Sequence, residues 1–555
     1  MRGSPLAVAF LALEALTYTT TAPATASAAS TARSVPWARL KMAAIALAAV
    51  CALAFRVSDL STYGFSEDEI NKVRAIEQYR GGHFAANAEH PMLMKLAMWA
   101  SDDLARAWNA VAPAAAAIAP ETALRLPNAI AGAAATVAIA GIADLLFGGV
   151  AAVTVSAIWA FDVNAIAINR IGKEDTFLVL FFLFAVFSYE RAKRIGVDDP
   201  IGAQPWYVAS GVCFGLMLAS KYMPHLLGIY ALFNGITDPQ PGANRPNKLA
   251  YYVAMLAAFA LADPVIFLPE TWRYCFDYVR GEMQTHHGYL YAGGLYVTDV
   301  PISPLGVPPT FYLRVLALKT PLVVLAALVP GVIQMVRRHR DRGMVLLRVL
   351  IVLLLVPYSL MAAKFLRYTL PMLAVIDLIA AIGLVEGVRW LLRKQWLAPI
   401  TRTTVAALAV LVFAVGLVQA RDSAAPFYSL FQNAIGERID PSSAAVPEAT
   451  YDYGVREAVA LTAAVAPHGT VLASDAPAVV DHYLSRFGRT DIRAGSLSGD
   501  GLAAHAPETW VLVQAEHATF ENALTVDVLS RREAPWAQVY AGDRLAVQLF
   551  RMPER

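Results

Sequence analysis

The feature that most constrains this chain is a succession of long apolar runs, each near the roughly 18 residues needed to cross the hydrocarbon core of a bilayer. About eleven are legible, near 40–57, 126–145, 149–168, 175–190, 206–220, 222–237, 250–268, 314–336, 343–361, 368–389 and 403–420. The stretch 206–237 divides in two because Ser220, Lys221 and Pro224 mark a turn. Only 16% of the 555 residues are charged and 57% are hydrophobic, whereas soluble domains carry about 25% charged residues. The net charge of +2 gives no electrostatic case for nucleic acid. Cys51, Cys213 and Cys275 imply neither a disulfide framework nor a metal cluster. The expected fold is mainly α, a polytopic membrane helical bundle.

Lys and Arg in short loops orient such a bundle toward the cytoplasm. Arg33, Arg39 and Lys41 precede the first run, and alternate loops then hold Arg191, Lys193 and Arg194; Arg245 and Lys248; Arg337 to Arg342; and Arg389, Arg393, Lys394 and Arg402. All fall on one side under the eleven-span count. The N-terminus is therefore expected in the cytoplasm and the C-terminal region in the periplasm of a bacterial inner membrane. Residues 1–35 are expected to be a disordered tail. The Leu6–Leu16 run resembles a signal peptide, but cleavage there would put Arg33, Arg39 and Lys41 outside.

The membrane domain is expected over 36–420, with outer loops at 58–125 and 269–313. Residues 421–555 are expected to form a small α/β soluble domain. Strands are read at 470–474, 510–514, 537–540 and 545–550, between helical stretches near 453–466, 476–487 and 518–530. Gly542-Asp543 supplies a turn between the last two strands. Long loops are commonly functional, and here all of them share one face.

The densest polar cluster follows the first run: Glu67-Asp68-Glu69, then Tyr79, His83, Glu89-His90-Pro91 and Lys95. Apolar residues recur between them at helical spacing, as in helices lying on a membrane surface; a solvated loop face is the plainer alternative. Asn169 to Asp175 forms an outer turn, where Arg170 and Lys173 serve in part as helix-end anchors. Asp175 suits the positive end of the next helix, so capping and function both remain open for it. His286-His287-Gly288-Tyr289 lies in the later loop without a third ligand at metal-site spacing. Lys364 fits a snorkelling cation. Lys319 lies deeper, where a charge needs a partner such as a lipid phosphate.

Together these elements resemble the GT-C glycosyltransferases, in the branch of the protein O-mannosyltransferases and the bacterial lipid A aminoarabinose transferases. The resemblance rests on Asp68-Glu69, His90-Pro91 with Lys95, Arg170-Ile171 with Asp175, and Arg367-Tyr368 with Pro371. His287-Gly288-Tyr289 and Lys319-Thr320-Pro321 are similar to the bacterial branch's later elements. It covers roughly 40–390, and the usual His-Pro-Pro reads His90-Pro91-Met92 here.

The resemblance implies a hexosyl- or pentosyltransferase using a polyprenyl-phosphate-sugar donor and a protein, lipid or glycan hydroxyl acceptor, with inversion. A sugar phosphate carries its own anionic leaving group, so one carboxylate base and cations for the phosphate suffice. Asp68 is the expected base, Glu69 the second candidate, and Asp175 a positioning group. Lys95, Lys319 and Arg367 are expected at the donor phosphate, and His90, Arg170, His286, His287 and Tyr289 at substrate. No complete metal-ligand set is visible, leaving dependence on a divalent cation undecided. Two other readings are a lipid or glycan flippase and a non-catalytic assembly subunit.

Overall fold

The computed structural model describes residues 29–237, 246–280, 288–298, 300–439, 451–498, 508–515, 517–532 and 534–552. Most of the expected tail (1–28) lies outside the described residues, whereas 29–35 already belong to the first helix.

The membrane part begins with α1 (Ala29–Val57), and the first outer segment holds α2 (Glu67–Arg80) and α3 (Leu93–Asn109). Then follow α4 (Pro120–Leu146), α5 (Gly149–Phe161), α6 (Val163–Asn169), α7 (Asp175–Ile195), α8 (Pro200–Ser220), α9 (His225–Thr237) and α10 (Lys248–Ala262). The later outer segment contains α11 (Pro269–Val279) and a hairpin of β1 (Gly288–Tyr291) and β2 (Gly294–Val297). The bundle closes with α12 (Phe311–Lys319), α13 (Leu322–Arg337), α14 (Arg342–Leu360), α15 (Leu370–Leu392) and α16 (Pro399–Ala424).

Each of the eleven expected runs is helical. Among the described residues, six helices are long and apolar enough to span a membrane, or eight if the bent pairs α5/α6 and α12/α13 each count as one. The remaining three runs fall in α7, whose last turns carry charges, and in the short α9 and α10. The protein is thus a multi-pass membrane protein.

Burial sorts the helices. The span ending with α15 is 89% buried and runs through the middle of the bundle, whereas α16 is only 17% buried and turns Leu408, Val412 and Val415 outward. Small residues let α13 and α15 touch backbone to backbone. A Cβ on Gly383 would lie 1.9 Å from the Ala327 carbonyl, and one on Gly331 2.2 Å from that of Ile379. Arg342 meets Glu190 at 2.9 Å and Asn234 at 3.0 Å, and Lys193 meets Asn234 at 2.7 Å. Basic loops that are distant in sequence therefore gather at one end of the bundle.

At the C-terminal end, α17 (Ala434–Ile439) and α18 (Val455–Val465) precede β3 (Val471–Ser474), α19 (Pro477–Arg486), β4 (Arg493–Ser496), β5 (Thr509–Gln514), α20 (Ala523–Arg532), β6 (Ala537–Ala541) and β7 (Arg544–Met552). The five strands form one sheet in the order β4-β3-β5-β7-β6, parallel across β4, β3 and β5 and antiparallel across β5, β7 and β6. Gly542, at φ +66°, makes the β6–β7 turn. Edge strand β4 escapes sequence reading because Arg-Ala-Gly-Ser lacks apolar alternation.

The C-terminal unit is clamped to the first outer segment. Arg456 donates to the carbonyls of Ser61 and Thr62 at 2.9 and 2.8 Å. The Phe65 N–H donates to Tyr483 Oη at 2.7 Å, and the Glu67 N–H to Asp452 Oδ2 at 2.7 Å. Gly64 is required beneath this clamp, since a Cβ there would come within 2.7 Å of Arg456 Cβ.

Candidate active site

Ser66-Glu67-Asp68-Glu69 starts α2 with a capping box, in which Ser66 and Glu69 satisfy each other's backbone N–H groups. The box fixes the helix start and so separates the three carboxylates. Glu69 turns inward, 1% exposed; its oxygens each accept from Arg125 at 2.7 Å, and Oε1 also accepts from the Gly172 N–H at 2.9 Å. Both oxygens are spent on tying the first outer segment to α4 and the 170–175 turn. Asp68 points the other way, with about a third of its side chain (34%) exposed.

Two cations from distant elements meet at Asp68. Lys173 Nζ, from the turn before α7, lies 2.5 Å from Oδ2, and Arg367, just before α15, lies 3.6 Å from the same oxygen. Burial works against the Asp68 charge, but Lys173, Arg367 and Lys72 overcome it and hold the carboxyl well below its usual range. One helical turn along α2, Lys72 Nζ sits 3.0 Å from Glu174 Oε1, both nearly inaccessible. Asp175 pairs with Lys221 Nζ at 2.8 Å, and that ammonium lies 4.7 Å from the centre of the Tyr368 ring. Arg367 stacks on Phe365 at 4.2 Å. Four cations (Lys72, Lys173, Lys221, Arg367) thus accompany three carboxylates (Asp68, Glu174, Asp175). Such a surplus, beside a partly open carboxylate, suits an anionic ligand.

The chain matches two family profiles: the dolichyl-phosphate-mannose-protein mannosyltransferases over residues 107–267, and the Alg9-like mannosyltransferase family over 306–451. No curated protein sequence matches it. Its structure superposes on apo ArnT from Cupriavidus metallidurans with a TM-score of 0.52, at 13% identity, over 93% of this chain and 98% of that one. ArnT bound to undecaprenyl phosphate aligns over the same shares and identity with a TM-score of 0.51. An oligosaccharyltransferase from Archaeoglobus fulgidus aligns over 85% of this chain and 69% of its own, at 12% identity and a TM-score of 0.46. The two profile matches and the shared fold support a GT-C-type glycosyltransferase. At these identities the structural likeness is one of fold.

Within this GT-C fold the other expected site residues divide. His90 Nδ1 lies 4.0 Å from Glu174, but burial and then Lys72 hold the imidazole well below its usual pKa, so it meets Glu174 as a neutral ring. Lys95 is fully buried and donates to the carbonyls of Asn87 and His90 at 2.5 and 2.9 Å. Burial, then Lys72, pushes its pKa down to about 7. It shapes the loop that carries His90 and is not brought to Asp68. Lys319 is likewise spent on the carbonyls of Ser429 and Phe431, at 2.8 and 2.9 Å. Arg170 binds the carbonyls of Phe55, Arg56, Ser58 and Asp59 at the end of α1. Tyr289 accepts from the Lys364 N–H at 2.7 Å. His286 and His287 lie outside the described residues.

Lys364 does not snorkel. It is fully buried and donates to Ser303 Oγ at 3.0 Å and to the Val307 carbonyl at 2.5 Å. Lys72, Glu174 and Lys221 are additions that sequence reading did not single out. Lys72 had a signal, since residues four apart share a helix face with Asp68; Lys221 had only its place at a span's end. A cavity of about 540 Å³ lies on the opposite face of α2, but Arg74, Arg80, Arg106 and Arg486 around it are paired with carboxylates.

Proposed function

We propose that this glycosyltransferase moves a sugar from a polyprenyl-phosphate donor to an acceptor hydroxyl, with Asp68 as general base and inversion at the anomeric carbon. One observation carries the reading: an accessible carboxylate held between Lys173 and Arg367, cations from elements far apart in the chain. Binding of undecaprenyl phosphate by a structurally similar ArnT supports the donor class.

The charges suggest a sequence of events. Without ligand, Lys173 and Arg367 hold Asp68 ionised but make it a weak base. A donor phosphate would compete for both cations and release Asp68 toward a higher pKa, where it accepts a proton more readily. The acceptor oxygen then attacks the anomeric carbon, its proton passes to Asp68, and the C–O bond to phosphate breaks. The departing phosphate stays on Arg367 and Lys173, with Lys72 and Lys221 behind them. Asp175, His90, Lys95, Arg170 and Tyr289 act as positioning residues, whereas Glu69 and Lys319 hold the fold around them.

The site faces the periplasm in this reading, with the basic loops cytoplasmic, as in a bacterial inner membrane. Purified protein incubated with radiolabelled polyprenyl-phosphate-sugar tests it. Transfer to an acceptor, or slow donor hydrolysis, supports the proposal. Donor binding without either in the wild type, or undiminished transfer in Asp68→Asn, overturns it.

A further inference from the structure

Both broken spans open onto the same buried cavity. α5 and α6 meet at Asp162 with a 60° bend, and α12 and α13 meet at Thr320-Pro321 with a 118° bend. Between the breaks lies a cavity of about 10 Å³, lined among others by Asp162, Asn164, Thr320, Pro321 and, from α15, Asp377. That is room for about one water-sized particle. Asn164 Nδ2 donates to the Lys319 carbonyl at 2.7 Å, linking one break to the other.

Two acceptor oxygens of the residues lining this space lack a donor. Asp377 Oδ2 and Asn164 Oδ1 have no hydrogen-bond partner, although their side chains are only 2% and 3% exposed. Asp162, 5% exposed, accepts from the N–H groups of Asn164 and Ala165 through Oδ1 alone. Arg56 is the cation whose charge acts on both carboxylates. Its guanidinium is committed to Asn169 Oδ1 and to the carbonyls of Ala52, Trp159 and Ala160. Two carboxylates share one cation among apolar helices, so the second is ionised only with a further counter-charge.

We propose that Asp162, Asn164 and Asp377, at the two helix breaks, bind one sodium ion inside the bundle. Hard oxygen ligands, a second carboxylate with no cation of its own and room for a single particle fit a monovalent cation. Magnesium keeps several waters, which this space does not admit. Interrupted membrane helices coordinate such ions through carboxylates and freed carbonyls. The ion would lock α6, whose far end begins the 170–175 turn that carries Lys173.

Full-length protein in nanodiscs, equilibrated with ²²Na⁺, tests this directly. The expected result is one ion per chain, displaced by unlabelled sodium and not by choline. Binding should weaken at least tenfold in Asp377→Asn and in Asn164→Ala. The unfolding temperature should rise with NaCl to a plateau, relative to choline chloride at equal ionic strength, and stay flat in Asp377→Asn. No ²²Na⁺ bound by the wild type, or equal stability in the two salts, would mean that a proton on Asp377 balances the charge, and would overturn the proposal. The wild-type measurement decides even if a variant fails to fold. Asp68→Asn should bind sodium normally, so failure of the transfer reading leaves this test intact.

Discussion

Asp68 and Lys173 meet at 2.5 Å although one starts an outer helix and the other lies in the turn before α7. The pair joins the two segments that the family resemblance marks, and Arg367, just before α15, adds a second cation at the same oxygen. Exposure separates the partners: Asp68 keeps about a third of its surface open (34%), Lys173 only 3%. The carboxylate is therefore the reachable member, and the cation is the fixed one.

Replacing Asp68 by Asn should lower sugar transfer by at least about 100-fold, the lower range of a general base's contribution. The protein should still insert and elute as the wild type on size exclusion. Wild-type turnover in this variant would remove the base assignment.

Arg367→Ala should weaken donor binding by about 10- to 100-fold, because a hydrogen bond to a charged group contributes about 1.5–3 kcal/mol. Fluorescence or calorimetric titration with a polyprenyl phosphate measures this without turnover. Lys319→Met, whose ammonium is committed to the Ser429 and Phe431 carbonyls, should leave donor affinity within about threefold. Equal losses in the two variants would contradict the division of cations drawn here.

Glu69 and Arg125 should behave as structural residues. Each is 1% exposed in their mutual ion pair, and removing one partner of a buried pair costs about 3–5 kcal/mol. Arg125→Ala should lower the unfolding temperature and the yield of inserted protein far more than Asp68→Asn does. Equal stability of the two variants would refute this.

Stability should also fall as pH rises from about 6.5 toward 10. Burial and the charges of Asp452 and Asp68 push Glu67 up to about 8. Burial alone would lower His517, but Asp475, bonded to its Nδ1, and Asp452 raise it to about 10. Both groups bind protons more tightly folded than unfolded, so their stabilisation is full at low pH and is lost as pH climbs through the folded values. Thermal unfolding between pH 6.5 and 10 should show the decline, and His517→Gln should flatten its upper part. Identical slopes in the two proteins would rule out His517 as its source.

Part of the site was readable from residue order alone. The resemblance picked out Asp68, Asp175 and Arg367, and all three stand in the charged cluster. It also picked out Lys95, Lys319 and Arg170, whose charges go to backbone carbonyls. Nothing in a sequence separates a cation facing a ligand from one that neutralises buried carbonyls, because both need a charge at the same depth. Lys72 and Lys221 show the converse: each finds its carboxylate only through packing between segments distant in the chain.

The apolar runs and the alternating strands of the tail were settled by sequence, since hydrophobic burial follows a periodicity of a few residues. The tertiary structure alone decided which runs break, which carboxylate stays open and which cations converge on it. Those outcomes depend on distances between helices, and the packing of the whole bundle sets such distances.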